Sequence, residues 1–421
     1  MLPELYGELA DAVIKYAESL SGTAATTAWV DTASLADTEF VASNIYLILA
    51  NIICKSNSSA NDVRVRLVHG TTPTVFDDAS LAWEGKTSNN QEHEESYLFL
   101  YTQPATPELV KLQISNSSTS TTTNVLSQIL AIKLSDDFVS GTDYLWNEDL
   151  VNYTLTTTPT AKAITASFTP NGTDRWLFIG HMIYDVGATI TTQIGFELYD
   201  SVAGVLNQCS QEGEDATNDF HGHNQYWGGI PTNVARTLAV RPFQLTTANA
   251  IMLASRVIAI NLSKFAQSAS AFSANEVDPA TTPTYTNLAT VSPTPAATGN
   301  WVYLAFSNQD TNEDGTTDWE TRLQVNPDGG GLVSDPGYAT TAPSLDSWDS
   351  TDEVAHSVFK LRSLTSGATR DINWDCRQVA GTTGRMEDNG LVAFSVALAG
   401  VEAEPLLSHI LRMSASAVYR M

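Results

Sequence analysis

The sequence predicts an all-β protein: three tandem antiparallel β-sandwich repeats of jelly-roll type, with a short helix at each terminus. Three observations predict it. An apolar strand with an aromatic near its start recurs at Tyr46, Trp176 and Trp301, a period of about 125–130 residues. Short stretches alternate with period two, as in Val63-Arg64-Val65-Arg66-Leu67 and Ile194-Gly195-Phe196-Glu197-Leu198, and clusters of Gly, Asn, Asp and Pro separate them. Only 16% of residues are charged, so Ser, Thr and Asn dress the surface, a balance suited to pleated strands and their turns.

Residues 1–29 are read as an N-terminal helix and linker, because Leu2, Leu5, Leu9, Val13, Tyr16, Ala17 and Leu20 share one helical face and Gly22 sits near its end. Repeat 1, at 30–140, holds the aromatic strand at Asn44–Ala50, an alternating strand with Arg66-Leu67, and a closing strand at Ile129–Leu134. Repeat 2, at 160–266, has the same series at Arg175–His181, Glu197-Leu198 and Val257–Leu262. Repeat 3, at 286–400, has it at Asn300–Phe306, Arg322-Leu323 and Leu391–Leu398. Thr157-Thr158-Pro159-Thr160 and Thr281-Thr282-Pro283-Thr284 join the repeats, where proline withholds a ladder donor and favours extended chain. Residues 401–421 are read as a C-terminal helix from Pro405 through Leu406, Leu407, Ile410, Leu411 and Val418. A terminal amphipathic helix needs an apolar partner, either its own sandwich or another subunit.

Composition narrows the partners. The 47 acidic against 21 basic residues give a net charge of −26, which repels phosphate backbones and anionic lipid; no nucleic-acid partner is expected. The most apolar run, Ile45–Ile53, contains Asn51 and is about half the length of a membrane helix, so no membrane partner is expected either. Acid stands in Met1–Leu5 where a secretory leader has base, so no secretory signal is expected. Cys54, Cys209 and Cys376 lack any paired spacing and read as small buried hydrophobes.

Two segments carry candidate sites. In Asp310 to Glu320, oxygen side chains at Asp310, Asn312, Asp314 and Asp318, with Gly315 for the turn, have the spacing that wraps a hard cation. The segment resembles the Asp-x-Asn-x-Asp-Gly calcium loops, a likeness that adds the carbonyl of Thr316 and implies a structural calcium ion. At the position of the usual bidentate Glu stands Thr321, with Glu320 one residue early. The alternative is a polar hairpin tip. The second segment is His221-Gly222-His223-Asn224-Gln225-Tyr226-Trp227. Its His-x-His pair turns two imidazoles to one side of a strand, but no third ligand accompanies it at a recognisable spacing. Tyr226 and Trp227 could form a sugar-stacking platform, or else plug one end of the sandwich. No G-x-S-x-G, H-E-x-x-H or phosphate-loop motif is present, and His93-Glu94-Glu95-Ser96 stops short of the second of these. No enzyme is expected.

The tandem Thr/Ser/Asn-rich sandwiches resemble structural proteins of tailed-phage virions. That likeness implies a non-enzymatic capsid decoration or head-fibre component, assembled in the host cytoplasm without a signal peptide and located in the virion. Its partners would be the major capsid protein or other virion proteins, and further copies in a homo-oligomer. A tail or baseplate component and a glycan-binding adhesin using Trp227 are the alternatives.

Overall fold

A strand that is apolar at every position, rather than at every second one, must be covered on both faces, and the three aromatic strands are of that kind. In the computed structural model they lie at the heart of the molecule. The structure describes residues 13–20, 24–56, 62–84, 92–117, 122–185, 193–212, 220–245, 250–278, 284–310, 318–329, 331–334, 345–346, 353–378 and 385–399.

Repeat 1 comprises β1 (Ile14–Ser19), β2 (Val30–Leu35), β3 (Ile45–Ser56), β4 (Asp62–His69), β5 (Thr74–Glu84), β6 (Glu92–Thr102), β7 (Val110–Asn116) and β8 (Thr122–Lys133). Its strands pair as β1-β8-β3-β6 in one sheet and β2-β7-β4-β5 in the other, the double Greek-key order of a jelly roll. Repeat 2 comprises β9 (Tyr144–Asp149), β10 (Tyr153–Thr154), β11 (Trp176–Asp185), β12 (Gln193–Asp200), β13 (Gly204–Glu212), β14 (Phe220–Gly229), β15 (Leu238–Gln244) and β16 (Ile251–Asn261). It repeats the order as β9-β16-β11-β14 and β15-β12-β13. The strand expected outside β15 is replaced by an irregular segment held through the bridges Lys162–Val240 and Phe168–Arg236.

Repeat 3 comprises β17 (Ser268–Ser273), β18 (Thr286–Val291), β19 (Gly299–Asp310), β20 (Asp318–Val325), β21 (Val333–Ser334), β22 (Leu345–Asp346), β23 (Glu353–Leu364), β24 (Ile372–Gln378) and β25 (Arg385–Ser395). Its sheets are β17-β25-β19-β23 and β18-β24-β20-β22. Tyr46, Trp176 and Trp301 hold equivalent places at the start of β3, β11 and β19, opposite Lys133, Asn261 and Ser395 of the closing strands.

The repeats do not stand as beads on a string. The sheet of repeat 1 that ends in β6 continues into repeat 3 at the Leu345–Glu92 pairing. The sheet of repeat 2 that ends in β14 continues into repeat 1 at Phe220–Ala82, and β23 of repeat 3 meets β13 of repeat 2 at Ser210–Glu353. Each repeat thus hands one sheet to the next, and the three seams close a ring with pseudo-threefold symmetry.

That closure explains the two-sided burial of the aromatic strands. One face of β3, with Tyr46, Ile48, Ala50 and Ile52, fills the core of repeat 1. Trp176, Phe178, Met182 and Tyr184 do the same in repeat 2, and Trp301, Tyr303 and Ala305 in repeat 3. The other faces meet at the ring's centre, where Leu47 and Leu49, Leu177 and Ile179, and Val302 and Leu304 form one apolar cluster with Leu98, Tyr226 and Phe359. Burial of each such aliphatic side chain contributes about 1.5–3 kcal/mol.

Two expectations change. The described part of the predicted N-terminal helix, Ile14–Ser19, is strand β1, laddered against β8 from Ile14–Ile132 to Ser19–Ser127. Ile14 and its neighbours Val13 and Tyr16 reach the central cluster from this strand, so ladder and burial together outweigh the helical spacing. The C-terminal helix at 401–421 falls outside the described residues, as do 1–12. Each jelly roll also starts earlier than the boundaries read from sequence, because β1, then β9 with β10, and β17 lie before residues 30, 160 and 286 respectively. The three cysteines are buried and none forms a disulfide.

Candidate functional site

Above the apolar layer the ring's interior turns polar, and the chemistry concentrates at the seams. The strands β6, β14 and β23 are equivalent, with Leu98, Tyr226 and Phe359 opposite Leu49, Ile179 and Leu304. The residues just before these three on each strand carry the seams.

At the first seam, between repeats 1 and 2, Glu95 of β6 is fully buried. Its Oε1 lies 2.7 Å from His93 Nε2 and 2.8 Å from His221 Nδ1, and its Oε2 accepts from the Gly222 backbone N–H at 2.6 Å. Burial alone would raise the Glu95 pKa, but the imidazoles of His221 and His93 hold it well below the usual carboxylate range. The His223 ring lies parallel to that of His221 at 6.2 Å, and burial draws its pKa down to about 3 against the pull of Glu95. Ser96 Oγ accepts from Asn224 N–H at 2.8 Å. From β16, the buried Arg256 crosses the same seam, donating to the Asp77 carbonyl at 3.0 Å with its guanidinium 4.3 Å from the Phe99 ring centre. Burial lowers its pKa to about 10, against Glu148, Asp78 and Asp77.

The third seam, between repeats 3 and 1, is a smaller version. Glu94 accepts from the Ser357 N–H at 3.0 Å and from its hydroxyl at 3.2 Å, and contacts His356 Nδ1. His356 Nε2 lies 2.9 Å from Thr321 Oγ1. Asn51 Nδ2 donates to the Ser357 carbonyl, and Gln128 engages both backbone groups of Phe359.

The second seam, between repeats 2 and 3, is built from amides. Asn308 Nδ2 donates to Asn207 Oδ1 at 2.6 Å, while Asn308 Oδ1 accepts from Gln225 Nε2 at 3.2 Å. Arg175 adds bonds to the Ser268 carbonyl at 2.8 Å and the Ser270 hydroxyl at 2.9 Å. Here burial raises Asp388 to about 7, with a backbone hydrogen bond at Gln208 offsetting part of the shift.

The residues singled out from sequence are placed as follows. Tyr226 is 1% exposed and sits in the central cluster, its hydroxyl accepting from Asn224 Nδ2 at 3.0 Å. Trp227 points to the opposite face of β14 and stacks on Phe178, ring centres 4.9 Å apart. Neighbouring strand residues face opposite ways, so the two aromatics form no shared sugar platform; they pack two different cores. Asp310 ends β19, Asp318 begins β20 and Glu320 lies within β20, whereas Asn312, Asp314 and Thr316 fall outside the described residues. The flanking strands β19 and β20 belong to different sheets.

Sequence reading missed His93, Glu94, Glu95, Asn207, Asn308 and Asp388 as seam residues. A signal for Glu95 existed: Glu95, His223 and His356 stand three residues before Leu98, Tyr226 and Phe359.

No protein-family model and no curated protein matches the chain. Among solved structures, one of Sulfolobus Turreted Icosahedral Virus is 10% identical, with 91% of each chain covered and a TM-score of 0.21. A second, described as the triple jelly roll fold and turret assembly in an archaeal virus, is 10% identical, with 89% of each chain covered and a TM-score of 0.19. Eiger TNF from S. frugiperda is 10% identical and has a TM-score of 0.22, covering 29% of this chain and 94% of its own. These are distant likenesses, and the jelly-roll assignment rests on strand order. Among the described residues, no helix is long and apolar enough to cross a membrane.

Proposed function

We propose that this chain is a non-enzymatic structural protein of a virus particle, a single-chain pseudotrimer that sits on the capsid as a decoration or head-fibre component. The closed ring carries the reading. Three jelly rolls joined through β6–β22, β14–β5 and β23–β13 make a threefold-like block from one chain, a shape suited to a site of threefold or quasi-threefold symmetry on a lattice. Jelly rolls commonly serve as capsid and lectin domains, and the acidic surface favours protein over nucleic acid as the partner. The partner is then the major capsid protein or another virion protein, with further copies of the chain around it.

The test is co-sedimentation of the tagged chain with purified capsids at a fixed ratio. Recovery of all of it as free protein while capsids sediment without it would sink the reading; association with tails alone would move the role to a tail or baseplate part, and binding to a glycan array would favour an adhesin. We further propose that the segment from Asp310 to Glu320 takes a structural calcium ion. Millimolar calcium should then raise the melting temperature of the full chain, the stabilisation being about 2.7 kcal/mol at a hundred times the dissociation constant. Asp314→Ala should abolish the rise, and identical melting with calcium and chelator would refute the assignment.

A further inference from the structure

The first seam brings together what no local motif shows. His93 and Glu95 stand two residues apart on β6 and so share a face, and His221 arrives from β14 of the next repeat. Their three ligand atoms all lie within 4.8 Å of one another, the only such grouping of His, Cys, Asp and Glu among the described residues. From this geometry we propose that His93 Nε2, Glu95 Oε1 and His221 Nδ1 form a structural site for a zinc-class divalent ion that clamps repeat 1 to repeat 2.

The donor set is two imidazoles and one carboxylate, which with a water in the fourth position suits tetrahedral zinc; a hard cation such as calcium or magnesium wants more oxygens. The surroundings orient the ligands as a metal site requires. The Gly222 N–H holds Oε2 at 2.6 Å, which turns Oε1 toward both imidazoles and fixes the carboxylate as a one-oxygen ligand, the outer-shell role that backbone donors play at metal centres. Gly222 suits that place, since a Cβ there would meet the Ser96 carbonyl and Leu81 Cδ1 at 3.0 Å. The Tyr184 ring, with its centre 5.5 Å from that of His221, and the parallel His223 ring wall the site.

The present N···O separations of 2.7 and 2.8 Å are hydrogen-bond lengths. Tetrahedral zinc with bonds of about 2.0–2.2 Å sets neighbouring ligand atoms roughly 3.4 Å apart, so each ring needs to draw back by about 0.6 Å. The third seam has a single imidazole, His356, between Glu94 and the Thr321 hydroxyl. The clamp therefore belongs to one seam of the three.

The probe is zinc itself, on the full chain stripped with chelator and dialysed. Titration calorimetry and elemental analysis should show one zinc retained per chain, and zinc but not magnesium should raise the melting temperature. His93→Gln and His221→Asn should each lose the bound zinc. Should either variant fail to fold, cobalt added to the stripped wild-type chain gives a second reading: a tetrahedral cobalt spectrum is expected, displaced by one equivalent of zinc. A folded wild-type chain that takes up neither metal would overturn the site. So would zinc uptake that survives unchanged in folded His93→Gln and His221→Asn.

Discussion

The first and second seams share strand pairing and differ in chemistry. At the first, β14 meets repeat 1 through a buried carboxylate, imidazoles and an arginine; at the second, β23 and β19 meet repeat 2 through the amides of Asn207, Asn308 and Gln225. Pseudo-symmetry has kept the backbone arrangement and let the side chains diverge. The lesson concerns specificity: a seam that joins Glu95 to His221 does not fit the surface that presents Asn308, so each repeat recognises one neighbour and the ring closes in one order.

The contrast should appear first as a difference in cost. Glu95→Ala removes the acceptor of two buried imidazoles and of the Gly222 N–H, and should cost about 3–5 kcal/mol, as breaking a buried charged pair does. Denaturant midpoints measure this, and a loss below about 1 kcal/mol would mean that the first seam is no stronger than a surface contact. Asn308→Ala leaves neutral amides without partners at the second seam and should cost about 1–3 kcal/mol. If it equalled Glu95→Ala, the distinction between ionic and amide seams would fail.

A third difference is pH dependence at the second seam. Burial raises Asp388 to about 7, above the ordinary carboxylate value of about 3.9, so the native state binds this proton more tightly than the unfolded chain. The cost of burying the charge is therefore full above pH 7 and falls away as the pH drops from there toward 4. Acidification from about pH 8 to about pH 5 should strengthen this seam, and Asp388→Asn should raise stability at the upper pH and flatten the profile. An Asp388→Asn profile that parallels the wild type would assign the titration elsewhere.

Much of the architecture could be read from sequence because jelly-roll interiors impose strong patterns. Tyr46, Trp176 and Trp301 betray their strands since both faces are covered, and Arg66-Leu67, Glu197-Leu198 and Arg322-Leu323 mark β4, β12 and β20 through alternation. The first strands of repeats 1 and 3 escaped notice for two reasons. Tyr16, Ala17 and Leu20 satisfy helical spacing over so short a window that only the ladder with β8 decides, and β17 reads Ser-Ala-Ser-Ala-Phe-Ser with almost no apolar signature. The seams were hidden by distance along the chain. His221 and His223 carried a metal-like spacing, but their carboxylate partner stands on another repeat, where His93-Glu94-Glu95 resembled only a broken motif. Tyr226 and Trp227 misled because aromatics flanked by glycine look exposed, whereas Gly228 and Gly229 merely make room: a Cβ on Gly228 would lie 2.4 Å from Val392.

Ring closure also sets a timetable for synthesis. The edge of β6 is complete once Thr102 has left the ribosome, yet its partner β22 ends at Asp346. The roughly 240 residues between them take on the order of 12 to 50 s to translate, and through that interval repeat 1 carries an unclosed strand edge. Such edges invite pairing with other nascent chains unless charge blunts them. The edge begins Glu92-His93-Glu94-Glu95, so the residues that later lock two seams serve beforehand as gatekeepers. A substitution there would reduce the yield of soluble protein even where the finished ring tolerated it.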